Sequence, residues 1–318
     1  RRARICRSSS WTTDHATGLS RFAHNYMQYT TIRGNINHYI ITGNDFEATA
    51  PWDRAYLTLL TDLRDLIDKG TETESWHYVG VAQLIKAYMF SVLVDYYGDV
   101  PYFNANQGSA NPTPEFDDDA AIYADLFTLI DEGIANLAAT STLSPAEDDV
   151  IYNGDLDNWR KFGKTLKLKL YNTIREVQDV SGPVQALLAE GDLISSPEED
   201  FEIPYGTSTA PDDRNQGYAT EYAIGSHSYV NPYFYEVLTN QNTFGHGGNI
   251  IPAEDPRIPY YWYNQIEPGE DPENPAAYLD DDTGFLSIYS FSYNIDPNEG
   301  YDQGQSQTVM GLYPIGGR

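Results

Sequence analysis

Ser75-Trp-His-Tyr-Val-Gly-Val-Ala-Gln-Leu-Ile-Lys-Ala-Tyr-Met-Phe-Ser-Val-Leu-Val-Asp-Tyr-Tyr-Gly-Asp-Val-Pro-Tyr102 is the stretch that decides the fold. Ser75 suits an N-cap, and Val79, Ala82, Ile85, Met89 and Leu93 follow at helical spacing. Toward its end the run is apolar nearly all round, which predicts a buried helix, and Gly98 and Pro101 stop it. Three neighbouring segments carry the same period. One opens near Pro51, sets Tyr56, Leu59, Leu60, Leu63, Leu66 and Ile67 on one stripe, and is predicted to end at Gly70. The next starts at Asp117, Asp118 and Asp119 and runs through Ile122, Leu126, Ile130, Ile134 and Leu137. Those acids read as a helix start, complementing the positive end of the dipole, rather than as a metal site. The last takes Asp157 as its cap and carries Trp159, Phe162, Leu166, Leu170, Ile174 and Val177, with Lys161, Lys164, Lys167, Lys169 and Arg175 around its other face.

Helices over 52–69, 75–97, 118–139 and 157–179, packed as two hairpins, make this a mainly α protein. In architecture they resemble the hairpins of tetratricopeptide arrays, although no sequence repeats at that period of about 34 residues. The scaffold is expected over 50–180. After Gly182 comes a short helix around Val184 to Ala189, and then a stretch rich in Tyr, Pro, Gly, Asn and Asp. Residues 181–318 are therefore expected to be a loop-rich, ligand-binding part on the scaffold.

The charge excludes some functions. Forty-seven acidic side chains against nineteen basic ones give a formal charge of −28, which repels nucleic acid and disfavours adhesion to anionic lipid. No run reaches the roughly 18 to 20 apolar residues that span a bilayer. A single cysteine, Cys6, excludes an internal disulfide and a multi-cysteine metal site, and its basic surroundings lack the apolar core of a signal peptide.

Catalytic signatures are missing: there is no P-loop, G-x-G-x-x-G, H-E-x-x-H or G-x-S-x-G, and the six histidines form no i, i+4 pair. Gly245-His-Gly-Gly248 lacks the nucleophile elbow that would make it an oxyanion loop. Asp296, Asn298, Gly300 and Asp302 have the pattern of a calcium loop, but its twelfth position is Gln307 instead of a bidentate glutamate. No cofactor or metal is expected. A glycosidase needs only two suitably spaced carboxylates, which this many acids do not exclude.

The abundant signal is aromatic. The chain has 26 Tyr and 5 Trp, many in the second half, including Tyr229, Tyr233, Tyr235, Tyr260, Tyr261, Trp262 and Tyr263. A flat ring with a polar tip stacks on the apolar face of a sugar or on a peptide side chain, while its hydroxyl bonds polar groups.

Several motifs in order resemble the SusD/RagB family, particularly its SusD-like branch. They are Tyr96-Tyr-Gly-Asp-Val-Pro-Tyr102, Ala121-Ile-Tyr-Ala-Asp-Leu126 with Asp131-Glu132, Asp149-Val-Ile-Tyr-Asn-Gly-Asp155, and Trp159-Arg-Lys-Phe-Gly-Lys-Thr-Leu-Lys-Leu-Lys-Leu170. Asp255-Pro-Arg-Ile258 and Tyr313-Pro-Ile-Gly-Gly317 complete the set. The resemblance spans about residues 20 to 318 and implies one SusD-like domain that is incomplete at both ends, because members are longer. It implies a non-enzymatic lipoprotein of the outer-membrane cell surface that lids a SusC-like TonB-dependent transporter and binds oligosaccharides or, in some members, oligopeptides. Cys6 lacks the small and apolar residues of a lipidation site, so the anchor is expected outside this chain. The family places ligands on the segment before the first helix pair and on later loops, which nominates Asn37, Tyr39, Trp52, Tyr205, Tyr229, Asn231, Tyr260 and Trp262. A secreted hydrolase and a protein-interaction scaffold are the competing classes.

Overall fold

The computed structural model describes residues 27, 29–32, 51–210, 213–215, 228–240, 253–257, 262–264 and 308–310. They fall into two compact units, one holding Trp52–Pro204 and the other drawn from Trp11–Pro51 and Tyr205–Arg318.

The first unit is helical. Residues 52–54 and a π-helical turn, Ala55–Leu59, lead into α1, Leu60–Glu72; α2 is Trp76–Tyr97, α3 Asp119–Ala138, α4 Leu156–Ile174 and α5 Ser181–Glu190. Consecutive long helices run antiparallel. Along α2 and α3, Gly80 lies against Gly133 and Leu137, while the Tyr123 hydroxyl at the far end donates to Asp95. Along α3 and α4, Lys167 reaches Asp131 at 2.7 Å and Tyr171 stacks on Phe127 at 4.3 Å. Leu84, Ile85, Phe90, Leu93, Ile122, Leu126, Ile130 and Trp159 form the fully buried centre.

The helix ends show what decides each boundary. α1 does not stop at Gly70: the Thr71 and Thr73 hydroxyls donate to the carbonyls of Ile67 and Lys69, each at 2.8 Å, and the helix continues to Glu72. Gly70 has a packing role, since a Cβ there would lie 2.6 Å from Val79 Cγ2. Ser75 occupies the N-cap of α2, but its hydroxyl pairs with that of Thr73 at 2.9 Å and caps no backbone N–H. Gly98, at φ +72°, ends α2 as expected. At α3 the acids serve the chain's own backbone. Asp118 accepts from the Ala121 N–H, Asp99 from that of Asp119, and Asp117 from those of Tyr102 and Phe103. The cap of α4 is Asp155, which accepts from the N–H groups of Asp157 and Asn158, so Asp157 sits in the first turn instead of capping it. α4 ends at Ile174, not at 179, and Val177 therefore leaves the stripe and is 86% exposed.

α2 also corrects the reading of apolar runs. By length and composition it is apolar enough to cross a membrane, yet 72% of that window is buried inside the unit, where it forms the core helix.

The positive face of α4 is paired. Lys164 reaches Glu190 at 2.9 Å and Asp192 at 3.1 Å, Lys169 reaches Asp95 at 3.5 Å, and Lys161 bridges to Glu199. These contacts hold α5 and the following segment on the scaffold, and Phe201 stacks on Phe162 at 4.1 Å. The helical unit consequently runs to Pro204 rather than ending near 180. The bond from Lys161, helped by the Ser195 N–H, holds the Glu199 carboxyl down to about 2, whereas an unfolded glutamate titrates near about 4.3. A depressed folded pKa supplies stability that is full above the unfolded value and is lost as pH falls through the folded one. Thermal melts should therefore show a gap between the native chain and Glu199→Gln that is widest above about pH 4.3 and narrows toward pH 2. A gap independent of pH would contradict this role.

The second unit contains a feature the sequence did not announce, an antiparallel four-stranded sheet. β1 is Thr30–Ile32, β2 Ser228–Val230, β3 Trp262–Asn264 and β4 Thr308–Met310, in the spatial order β1-β2-β4-β3. α6, Pro232–Thr239, follows β2 directly. Asp255 and Arg257 close a turn through paired bonds of 2.9 and 2.7 Å, and this guanidinium holds the Asp255 carboxyl down to about 2. Cys6, the Gly245–Gly248 segment, the Asp296–Asp302 segment and Tyr313–Gly317 lie outside the described residues.

Candidate functional site

Of the eight nominated residues, Asn37, Tyr39 and Tyr260 lie outside the described residues. Trp52 belongs to the helical unit, and Tyr205, Tyr229, Asn231 and Trp262 belong to the other.

Trp52 is half-buried in the first helical turn, and three rings fix it. Tyr56 tilts against it at 4.8 Å, Tyr97 meets it edge-on at 5.2 Å, and Phe116 lies nearly parallel at 6.1 Å and 24°. Tyr56 is anchored by its hydroxyl, which donates to the Pro101 carbonyl at 2.8 Å. Burial raises both phenols: Tyr97 is pushed up to about 12, with Tyr96 adding to the effect, and Tyr56 goes further, with Asp117 adding to it. Both stay neutral near neutral pH. Phe116 is different because it is 65% exposed. Trp52 and Phe116 thus form a ledge whose outer ring is open while its inner ring is held by packing. Trp52 is among the residues nominated from the sequence and Phe116 is not. The available signal was that Phe116 is the single large apolar residue between Asn104 and the Asp117 cluster.

In the second unit the sheet register sorts the candidates. Tyr229 pairs with Thr31 on one side and Val309 on the other, and Val309 pairs with Tyr263, so these four share one row. Trp262 pairs with Met310 in the adjacent row. Asn231 is buried, its side-chain oxygen accepts the Tyr233 N–H at 2.9 Å, and its own N–H donates to the Tyr29 carbonyl. That is the position of a cap at the start of α6. Tyr205 is 39% exposed.

The class is defined by a helical unit that carries the Trp52–Phe116 ledge and by a second unit that bears an antiparallel sheet. The SusD-like_2 family, described as "Starch-binding associating with outer membrane", matches residues 7–303, and the chain belongs to this family. Solved structures agree on the fold. A SusD/RagB family protein from Bacteroides thetaiotaomicron superposes with a TM-score of 0.71 at 16% identity, covering 98% of this chain and 61% of that one. A chitin-binding SusD homolog from Flavobacterium johnsoniae gives 0.68 at 14%, covering 99% and 61%. A SusD homolog from Bacteroides vulgatus gives 0.68 at 16%, covering 99% and 60%. The chain thus spans about three fifths of the length of these proteins. No curated protein matches it.

Proposed function

We propose that this protein captures oligosaccharides at the outer-membrane cell surface, without cleaving them, and passes them to a SusC-like TonB-dependent transporter. Tethering through a lipid anchor accompanies this reading. The family supports the glycan and membrane parts, since its description names starch binding and association with the outer membrane, and a structural neighbour is described as chitin-binding. The observation that carries it is the ledge of Trp52 and the exposed Phe116, which offers a flat apolar surface to the face of a pyranose ring. Oligopeptide capture is the alternative within the same family.

Each stacked aromatic contributes about 1 kcal/mol, which corresponds to about a fivefold change in affinity. A site built of such contacts binds modestly and releases quickly, as handover to a transporter requires. Glycan and peptide arrays should show retention of glycans, and Trp52→Ala and Phe116→Ala should each weaken binding of the best glycan about fivefold with helical content unchanged. Retention of peptides alone would move the reading to the oligopeptide alternative. Unchanged glycan affinity in both variants would remove the ledge as the site.

A further inference from the structure

Where α1 ends and α2 begins, the two helices and the loop 143–149 line a pocket of about 350 Å³ that shares no residue with the Trp52–Phe116 ledge. That volume belongs to the lower range of small-molecule sites. Its walls are aliphatic, with Leu66 from α1, Val81 and Ile85 from α2, and Leu143 and Pro145 from the loop. Val81, Ile85 and Pro145 are buried, whereas Leu143 is 58% exposed.

Two side chains of opposite charge interrupt these walls, Lys69 and Asp148. Lys69 is exposed near the end of α1 and, unlike the four lysines of α4, pairs with no carboxylate among the described residues. Asp148 is half-buried and held in place. Its Oδ2 accepts the Tyr78 hydroxyl at 2.7 Å and its Oδ1 accepts the Ala146 N–H at 3.0 Å. The other polar walls are committed to the protein itself. Asp149 accepts from the backbone N–H groups of Ile151, Tyr152 and Gly154 and from the Trp159 indole, and the Thr73 hydroxyl donates to the Lys69 carbonyl while it pairs with that of Ser75.

This lining discriminates by charge. A simple carboxylic acid would meet Asp148 in a chain that already carries −28, and a simple amine would meet Lys69. An uncharged apolar molecule would gain nothing from either group. A zwitterion with an aliphatic body answers the cation, the carboxylate and the apolar walls together, and its net charge of zero escapes the repulsion of the chain as a whole. We propose that this pocket binds a free aliphatic amino acid, with its carboxylate on Lys69, its ammonium on Asp148 and its side chain among Leu66, Val81, Ile85 and Leu143.

The test is titration calorimetry of the intact chain with L-leucine, which should bind saturably. Leucinamide lacks the carboxylate and N-acetyl-leucine lacks the ammonium, so each should bind about tenfold more weakly, as expected for the loss of one hydrogen-bonded charge. Glycine, without the side chain, should give no saturable heat. Lys69→Met should abolish the preference for leucine over leucinamide, and Asp148→Asn should abolish the preference over N-acetyl-leucine, with helical content unchanged in both. Equal affinity for leucine and its two capped analogues, or no saturable heat from leucine, would overturn the proposal. The analogue series uses only the native chain, so it decides the matter whether or not a variant folds. Neither outcome bears on glycan capture at the ledge.

Discussion

Trp159→Ala is expected to cost about 3 to 5 kcal/mol, a large share of the stability of a domain this size. The indole is 0% exposed and meets Tyr152, Phe162 and Phe201 edge-on at 5.2, 5.8 and 5.9 Å. Its Nε1–H donates to Asp149 at 2.7 Å, and that buried carboxylate also accepts the backbone N–H groups of Ile151, Tyr152 and Gly154. The Asp149–Asp155 motif is therefore a turn wound around one carboxylate and docked on one tryptophan. Truncation leaves a cavity and also removes a donor from a buried charge. Trp159→Phe separates the two effects: it keeps much of the volume and should cost about 1.5 to 3 kcal/mol, the range for a hydrogen bond to a charged group. Urea unfolding followed by circular dichroism reads both. An unchanged midpoint in the alanine variant would contradict the assignment of Trp159 to structure.

The second large effect is expected at Gly80. A Cβ there would stand 2.7 Å from the Gly133 carbonyl oxygen and 2.8 Å from Leu137 Cγ, and one on Gly133 would stand 3.2 Å from the Gly80 carbonyl. The two glycines let α2 and α3 approach backbone to backbone. A main-chain oxygen cannot swing away as a side-chain tip can, so Gly80→Val should separate the helices and cost about 3 kcal/mol, the upper part of the range for overpacking. Gly182→Ala is the control. Nothing lies within 4 Å of a Cβ at that position, and alanine favours the helix, so stability should hold or rise slightly. Equal losses at both positions would mean that the close approach is not what Gly80 provides.

The sequence exposed the helices because a stripe of apolar residues every three or four positions survives in any context, and all four long spans are helical. Their ends were harder to read. Asp155 and Asp157 are chemically alike, and only the extended backbone of Asp155, at ψ 101°, makes it the cap. Gly70 looked like a terminator because glycine serves both as a stop and as a point of close approach, and the partner that distinguishes these, Val79, is in the next helix. The sheet was illegible because three-residue strands are too short for a two-residue period to register, and their partners come from four distant stretches. The same distance hid the row shared by Tyr229 and Tyr263. Phe116 escaped because its value depends on Trp52, more than sixty residues earlier.

Capture without catalysis is tested most directly by incubating the protein with the glycan it binds best, measuring saturation by calorimetry and then recovering the ligand for mass analysis. The account predicts saturable binding, weakened by Trp52→Ala, and a ligand recovered at its original length however long the incubation. Progressive shortening of the glycan that stops when a single carboxylate is replaced would contradict it and make the protein a hydrolase.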